Sequence, residues 1–303
     1  MQNIIVLTVV GLLAQLVDGA LGMAYGATSA TLVLAAGYAP ATASASVHLA
    51  ELGTTAVSGY SHRRFGNVDW RTVRRIGIPG AIGAFIGAVV LSSISAEIAK
   101  PWMAGILLAL GVYILVRFTV GWAPRPSGRP YVRGRYLAPL GLGAGFVDAT
   151  GGGGWGPVST PTLLATGKME PRKVVGSVDT SEFLVAFAAS IGFLVGLGSQ
   201  GVKPEIVLPL LAGGIVAAPL AAWLVQLFTA RILGAAVGGL ILLTNAKTMA
   251  DAFDAGGAVR NPVYLAIIVS WIAALAFVVH RHRRDGIPLT NRRPSAEPAT
   301  ETT

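Results

Sequence analysis

Residues 145–157 read GFVDATGGGGWGP. A run of four glycines ends any helix that reaches it, each glycine costing about 1 kcal/mol against alanine in a helix interior. Asp148 places a carboxylate just ahead of the break, while the sequence on both sides is rich in Leu, Val and Ala. Backbone N–H and C=O groups freed in apolar surroundings must find partners. The setting of this break therefore decides what kind of fold can hold it.

That setting is membrane-like. The 303 residues are 53% hydrophobic and only 12% charged, where a soluble domain carries about a quarter charged residues. The net charge of +9 falls in short clusters between long apolar runs, the pattern of cytoplasmic loops under the positive-inside rule. No aromatic-basic reading module accompanies it, so nucleic acid is not an expected partner; the lipid bilayer is. With no cysteine, disulfides, thiolate metal sites and cysteine nucleophiles are excluded. The start, MQNIIVLTVVGLLAQLVDGA (1–20), lacks a basic leader and reads as a first membrane segment rather than a cleaved signal.

Apolar runs long enough to cross a bilayer as helix lie at about 41–61, 72–94, 100–120, 173–197, 204–227, 231–250 and 262–280. Two further regions, 3–36 and 136–166, are too long for one span and are interrupted by glycine. Three segments are strongly basic: HRRFGNVDWRTVRR (62–75), PRPSGRPYVRGR (124–135) and HRHRR (280–284). They share the cytoplasmic side only if 136–166 enters and returns on one side, as a hairpin of two short helices. The C-terminus is then cytoplasmic and the N-terminus outside, with Trp70, Trp102 and Trp122 near span ends as interfacial anchors.

The chain also contains itself twice, with a period of about 130 residues. VDGALGMAYGATSATLVLAAG (17–37) aligns without a gap to VDATGGGGWGPVSTPTLLATG (147–167), so Asp18 meets Asp148, Tyr25 meets Trp155, Gly26 meets Gly156 and Ser29 meets Ser159. After a one-residue shift SVHLAE (46–51) meets SVDTSE (177–182), pairing His48 with Asp179 and Glu51 with Glu182. One hairpin plus three spans per repeat starts the second copy on the opposite side from the first. The expected fold is an all-α integral membrane protein of two inverted repeats, each a broken-helix hairpin plus three transmembrane helices, with an extra C-terminal transmembrane helix. The expected divisions are 1–120 for the first repeat, 121–135 for a basic cytoplasmic linker and 136–250 for the second repeat. Residues 251–284 form the added helix and its basic end, and 285–303 a disordered polar tail. Paired glycine-interrupted segments in inverted repeats point to a secondary transporter with its site between them.

The AGFVDATGGGGWGPVSTPTLLATG run, its echo near the N-terminus and the SVxxxE helix after each copy resemble the TauE/SafE sulfite-exporter family over about residues 10–250. The resemblance implies a bacterial or archaeal inner-membrane protein that moves small sulfur-containing anions such as sulfite, sulfoacetate or other organosulfonates. The first repeat departs from the glycine-rich form, with ALGMAYG where the second has TGGGGWG.

An anion in the membrane needs donors and positive potential, and a helix N-terminus supplies both without a buried cation. Glycine permits close approach of backbone, Pro157 suits a first helical turn, and Ser159 and Thr160 add hydroxyls. The expected substrate site joins Tyr25, Gly26, Thr28 and Ser29 to Gly152, Gly153, Gly154, Trp155, Ser159 and Thr160. Tyr25 and Trp155 either line and gate it or only pack, and the Trp155 indole is one candidate donor to an oxyanion. Asp18, Asp148, His48, Glu51, Asp179 and Glu182 are ionisable groups in or near membrane segments, hence candidates for coupling or cavity lining. Carboxylates repel an anion, so proton coupling suits them; capping of the broken helices is the competing role for the two aspartates. Lys168, Arg172 and Lys173 mark a cytoplasmic entrance or ordinary loop charge, and Lys247 snorkels. His48 with Glu51 makes a poor metal set, so no metal and no cofactor is expected. A channel, and below it a divalent-cation transporter, are the alternatives. No GxSxG, HExxH or Walker pattern occurs, and no catalytic residue is expected. A homodimer stays open.

Overall fold

The structure is a computed structural model that describes residues 2–21, 23–121, 134–166, 168–198, 201, 203–227 and 230–285. Gly22, Trp122, Gly167, most of the basic linker (122–133) and most of the expected disordered tail (286–303) lie outside the described residues, as does the Arg172 side chain. Among the described residues all regular structure is helical. The helices are α1 (Gln2–Leu21), α2 (Tyr25–Ala35), α3 (Pro40–Arg64), α4 (Trp70–Ser93), α5 (Ala96–Val120), α6 (Gly134–Gly151), α7 (Trp155–Ala165), α8 (Pro171–Leu197), α9 (Pro204–Leu227), α10 (Ala230–Ala252) and α11 (Gly257–Arg284).

The two interrupted regions are helix–break–helix units, α1–α2 and α6–α7. Their second arms have 11 residues each, or about 16 Å at 1.5 Å per residue, well short of a bilayer core. Helices α4, α5, α8, α10 and α11 are long and apolar enough to cross a membrane. Helix α3 is as long but carries Ser44, Ser46, His48, Glu51 and Thr55 on its buried side. Its polar face therefore turns inward, away from lipid, while Val57 and Tyr60 near its end are exposed. Helix α11 packs on α10 and α5 and exposes Val263, Leu265, Val269, Ile272 and Phe277 outward, the surface expected of a helix facing hydrocarbon. This is a multi-pass membrane protein.

Packing follows an exchange between the halves. Helix α1 lies chiefly on α9 and α6 on α4, while α5 lies on α10 and α3 on α8. Glycines set the first two contacts. A Cβ on Gly83 would run into the Leu142 carbonyl, and one on Gly213, which stands 130 residues later, would run into the Thr8 carbonyl. Likewise Gly141 abuts the Ile76 carbonyl and Gly11 the Leu210 carbonyl. The period seen at the breaks thus extends into the fourth helix of each half. With no hydrophobic force between helices in lipid, such close backbone contact supplies the packing energy.

The basic ends gather. Asp69 caps α4 by accepting from the N–H groups of Arg71 (2.9 Å) and Thr72 (3.3 Å), and its own N–H reaches Ser177 Oγ of α8 at 2.8 Å. Arg75 lies beside Gly134 at the start of α6. At the end of α5, the Thr119 carbonyl accepts from Arg231 (3.0 Å) and the Val120 carbonyl from Arg281 (3.0 Å).

Gly83→Ala and Gly213→Ala should each lower stability by about 1–3 kcal/mol through overpacking. Gly143→Ala, which meets open space, should stay within about 0.5 kcal/mol of the parent. Thermal unfolding in detergent measures all three, and equal melting of Gly83→Ala and Gly143→Ala would contradict the packing account.

Candidate functional site

The second break is built by backbone that only glycine adopts easily. Gly152 has φ +73° and Gly153 φ +157°, and the N–H of Gly153 turns back to the Asp148 carbonyl at 3.0 Å. In the first break Ala24 holds φ +90°, a conformation that costs an L-residue about 1–2 kcal/mol. This is where ALGMAYG departs from TGGGGWG, and there the chain holds strain in place of glycine.

Asp148 Oδ1 accepts from the backbone N–H groups of Gly154 (2.6 Å) and Trp155 (2.9 Å), which open α7. Asp18 Oδ1 accepts from the Tyr25 N–H (3.3 Å), which opens α2. Both aspartates cap across their breaks. Asp148 also turns its other oxygen, Oδ2, to His48 Nε2 at 3.1 Å, with both side chains buried. His48 Nδ1 lies 2.8 Å from the Ser44 carbonyl, and the Ser44 hydroxyl donates to the Ala149 carbonyl at 2.6 Å. Ser44 was not singled out in the sequence, because its role depends on α3 meeting α6.

The two breaks touch. A Cβ on Gly26 would press on Gly153 Cα, the Gly152 carbonyl and Glu51 Oε1, and one on Gly153 would press on the Ala27 N–H and Gly26. Thr28, Ser29, Ser159 and Thr160, in the first two turns of α2 and α7, are at most 2% exposed. The hydroxyls of Thr28, Ser159 and Thr160 have no hydrogen-bond partner among the described residues, and that of Ser29 lies against the Tyr25 hydroxyl. Both Glu51 oxygens are also buried and unpartnered among the described residues, although buried polar groups ordinarily pair.

Trp155 is different. Its indole N–H donates to the Val178 carbonyl at 3.0 Å and its ring fills the space beside Gly80. The indole is therefore not free for an oxyanion in this conformation; the Tyr25 hydroxyl lies near Gly214 and Ser29. Asp179 does not join His48. It lies 3.9 Å from His62 and within electrostatic reach of Asp18. Glu182 is within reach of Glu51, Asp148, Asp18 and Asp179. Lys168 and Lys173 border a surface pocket with Asp69 and Trp70, and Lys247 is exposed on α10. Asn245 escaped notice in the sequence: its amide donates to Thr31 Oγ1 at 2.9 Å, tying α10 to α2. A lone asparagine in an apolar span is itself a signal.

A cavity of about 370 Å³ opens at the basic end, lined by Thr55, Tyr60, Arg63, Trp70, Thr180 and Phe183 among others. Glu51 stands one helical turn beyond Thr55, whose hydroxyl donates to the Glu51 carbonyl at 2.6 Å.

Comparison with known proteins agrees with this architecture. The chain is 52% identical over 282 residues, covering 93% of it and 94% of the relative, to "Probable membrane transporter protein YtnM" of Bacillus subtilis (strain 168). It is 28% identical over 203 residues, covering 64% of it and 82% of the relative, to "Probable membrane transporter protein YdhB" of the same organism. No solved structure matches it. The family Sulfite exporter TauE/SafE matches residues 7–248, and with the paired breaks and the membrane-spanning helices around them, this chain belongs to that family of membrane transporters.

Proposed function

We propose that this protein is a secondary transporter that exports small sulfur-containing anions (sulfite, sulfoacetate or other organosulfonates) across the inner membrane by alternating access. The observation that carries the reading is the set of buried hydroxyls on α2 and α7, with those of Thr28, Ser159 and Thr160 unpartnered among the described residues and Ser29 and Ser159 at equivalent places in the two repeats. They lie in the first two turns of the arms that follow the breaks, and the breaks meet at Gly26 and Gly152–Gly153. Hydroxyls left dry in a membrane interior cost about 1–3 kcal/mol each, a cost that an anion with several acceptor oxygens removes. Donors without a fixed cation suit a substrate that must also leave.

In this reading the repeats are inverted, each hairpin returning to the side from which it enters. The basic ends of α3, α8 and α11 face the cytoplasm, with the C-terminus inside. The cavity at Arg63 and Trp70 is the cytoplasmic vestibule, where the basic rim raises the local anion concentration. Glu51 and the contact between the breaks close the path beyond it. Alternating access parts that contact toward one side at a time.

Purified protein in liposomes should carry sulfite or sulfoacetate faster than empty liposomes and with saturation, in a panel that includes taurine and sulfate, with and without a proton gradient. No flux of any member of that panel would overturn the reading. Gly152→Ala and Gly153→Ala should abolish transport at normal membrane levels, since φ +73° at Gly152 and the Ala27 backbone facing Gly153 exclude a Cβ. Ser29→Ala and Ser159→Ala should each raise the apparent KM about tenfold, the worth of a hydrogen bond to a charged group. Thr162→Ala, an exposed hydroxyl on the same helix as Ser159, should leave it unchanged.

A further inference from the structure

Resting on the anion site proposed above, we infer that Asp148 is an internal stand-in for the substrate: the anion displaces its Oδ1 from the start of α7, and the freed carboxylate takes up one proton. The N–H groups of Gly154 and Trp155 already hold an anionic oxygen, that of Asp148. They are the donors that a helix N-terminus would offer to a sulfonate. The unpartnered Ser159 and Thr160 hydroxyls lie on the following turn, so an arriving anion and Asp148 Oδ1 compete for one place.

The hydrogen-bond pattern places one proton between His48 and Asp148. The Ser44 carbonyl only accepts, so His48 Nδ1 donates to it. The Ser44 hydroxyl spends its hydrogen on the Ala149 carbonyl and cannot donate to Nδ1. The contact between Nε2 and Asp148 Oδ2 therefore requires a proton between them. In the proposed resting state the shared proton sits on Nε2, so that the pair is an imidazolium and a carboxylate whose Oδ1 accepts both N–H groups.

The other ionisable groups facing this pair are Glu51 of α3 and, within electrostatic reach, Glu182 of α8, with Asp18 of α1 beyond Glu51. Helix α2 brings Tyr25. Helix α7 has no ionisable residue, and those of α4 and α5 lie in their end turns apart from Tyr113. Among the described residues, no cation therefore faces Asp148 besides His48.

When a substrate oxygen takes the Gly154 and Trp155 N–H groups, Asp148 loses both donors and gains an anionic neighbour. Two anions side by side in a dry site cannot both stay charged against a single imidazolium. One proton from the aqueous side bonds to Oδ1, His48 keeps its own, and no bond in the substrate changes. When the anion departs, that proton leaves on the same side and Oδ1 returns to α7. Proton and anion travel in the same direction.

The test uses purified full-length protein in weakly buffered detergent with a pH-indicating dye. The probes are sulfoacetate, sulfate and methanesulfonate, whose charges are constant between about pH 6 and 8. The wild type should take up about one proton per anion bound, with affinity rising about tenfold for each unit that pH falls. Asp148→Asn should bind without proton uptake and with affinity flat across pH. Anion binding by the wild type without proton uptake, or undiminished uptake in Asp148→Asn, overturns this inference and leaves the anion site standing. Failure of all three probes to bind overturns both.

Discussion

The carboxylate of Asp148 is the constraint on which the interior depends. One oxygen holds the first two N–H groups of α7 and the other meets His48 of α3. Without it, two backbone donors would be buried with no partner, at about 1–3 kcal/mol each, beside a histidine with no counter-ion. A helix can be broken inside a membrane protein only where the freed groups are satisfied or line a cavity. Here a single side chain satisfies them and at the same time binds the second hairpin to the first repeat. The Ser44 hydroxyl, donating to the Ala149 carbonyl, adds a second tie between the same two helices.

Exchange of packing partners is what brings the breaks together. Because α1 leans on α9 and α6 on α4, each hairpin is cradled by a helix of the other half, and neither repeat could hold its own break alone. Glycines at equivalent positions, Gly11 with Gly141 and Gly83 with Gly213, bring the backbones into contact on both sides. The aromatic residues follow the same rule: Tyr25 rests near Gly214 of α9 and Trp155 against Gly80 of α4. The consequence is a closed centre in which Gly26 meets Gly153, with hydroxyls and the Glu51 carboxyl enclosed around them.

The helical membrane architecture, the two breaks and the residues around them were legible in the sequence, because each depends on local chemistry. Glycine ends a helix wherever it stands, and Asp, Ser and Thr at a fixed offset repeat visibly against apolar sequence. What depends on contact between distant segments was not legible. The alignment of repeats equates His48 with Asp179, which says nothing of the partner 100 residues away that His48 actually meets. Whether Trp155 lines the site or packs stayed open in the sequence, because the Val178 carbonyl that takes its N–H belongs to another helix. The symmetry of Gly83 and Gly213 lay beyond the stretch where side chains still agree, since their shared role is to have no side chain. Asn245 stood as the one asparagine in its apolar helix, and only its contact with Thr31 gives it a place.

The two breaks share a plan without being copies, and the difference has a mechanical consequence. Asp148 makes two N–H contacts of 2.6 and 2.9 Å and a third with His48, over glycine backbone that carries its positive φ cheaply. Asp18 makes one contact of 3.3 Å, beside an alanine at φ +90°, and its neighbour at the position equivalent to His48 is another carboxylate, Asp179. Like charges in that place push apart unless a proton separates them. The first hairpin is thus held by fewer bonds, over strained backbone and beside a repulsive neighbour. In any rearrangement that parts Gly26 from Gly153, the weaker capping favours yielding on the α1–α2 side, with the α6–α7 hairpin anchored by His48 as the fixed wall.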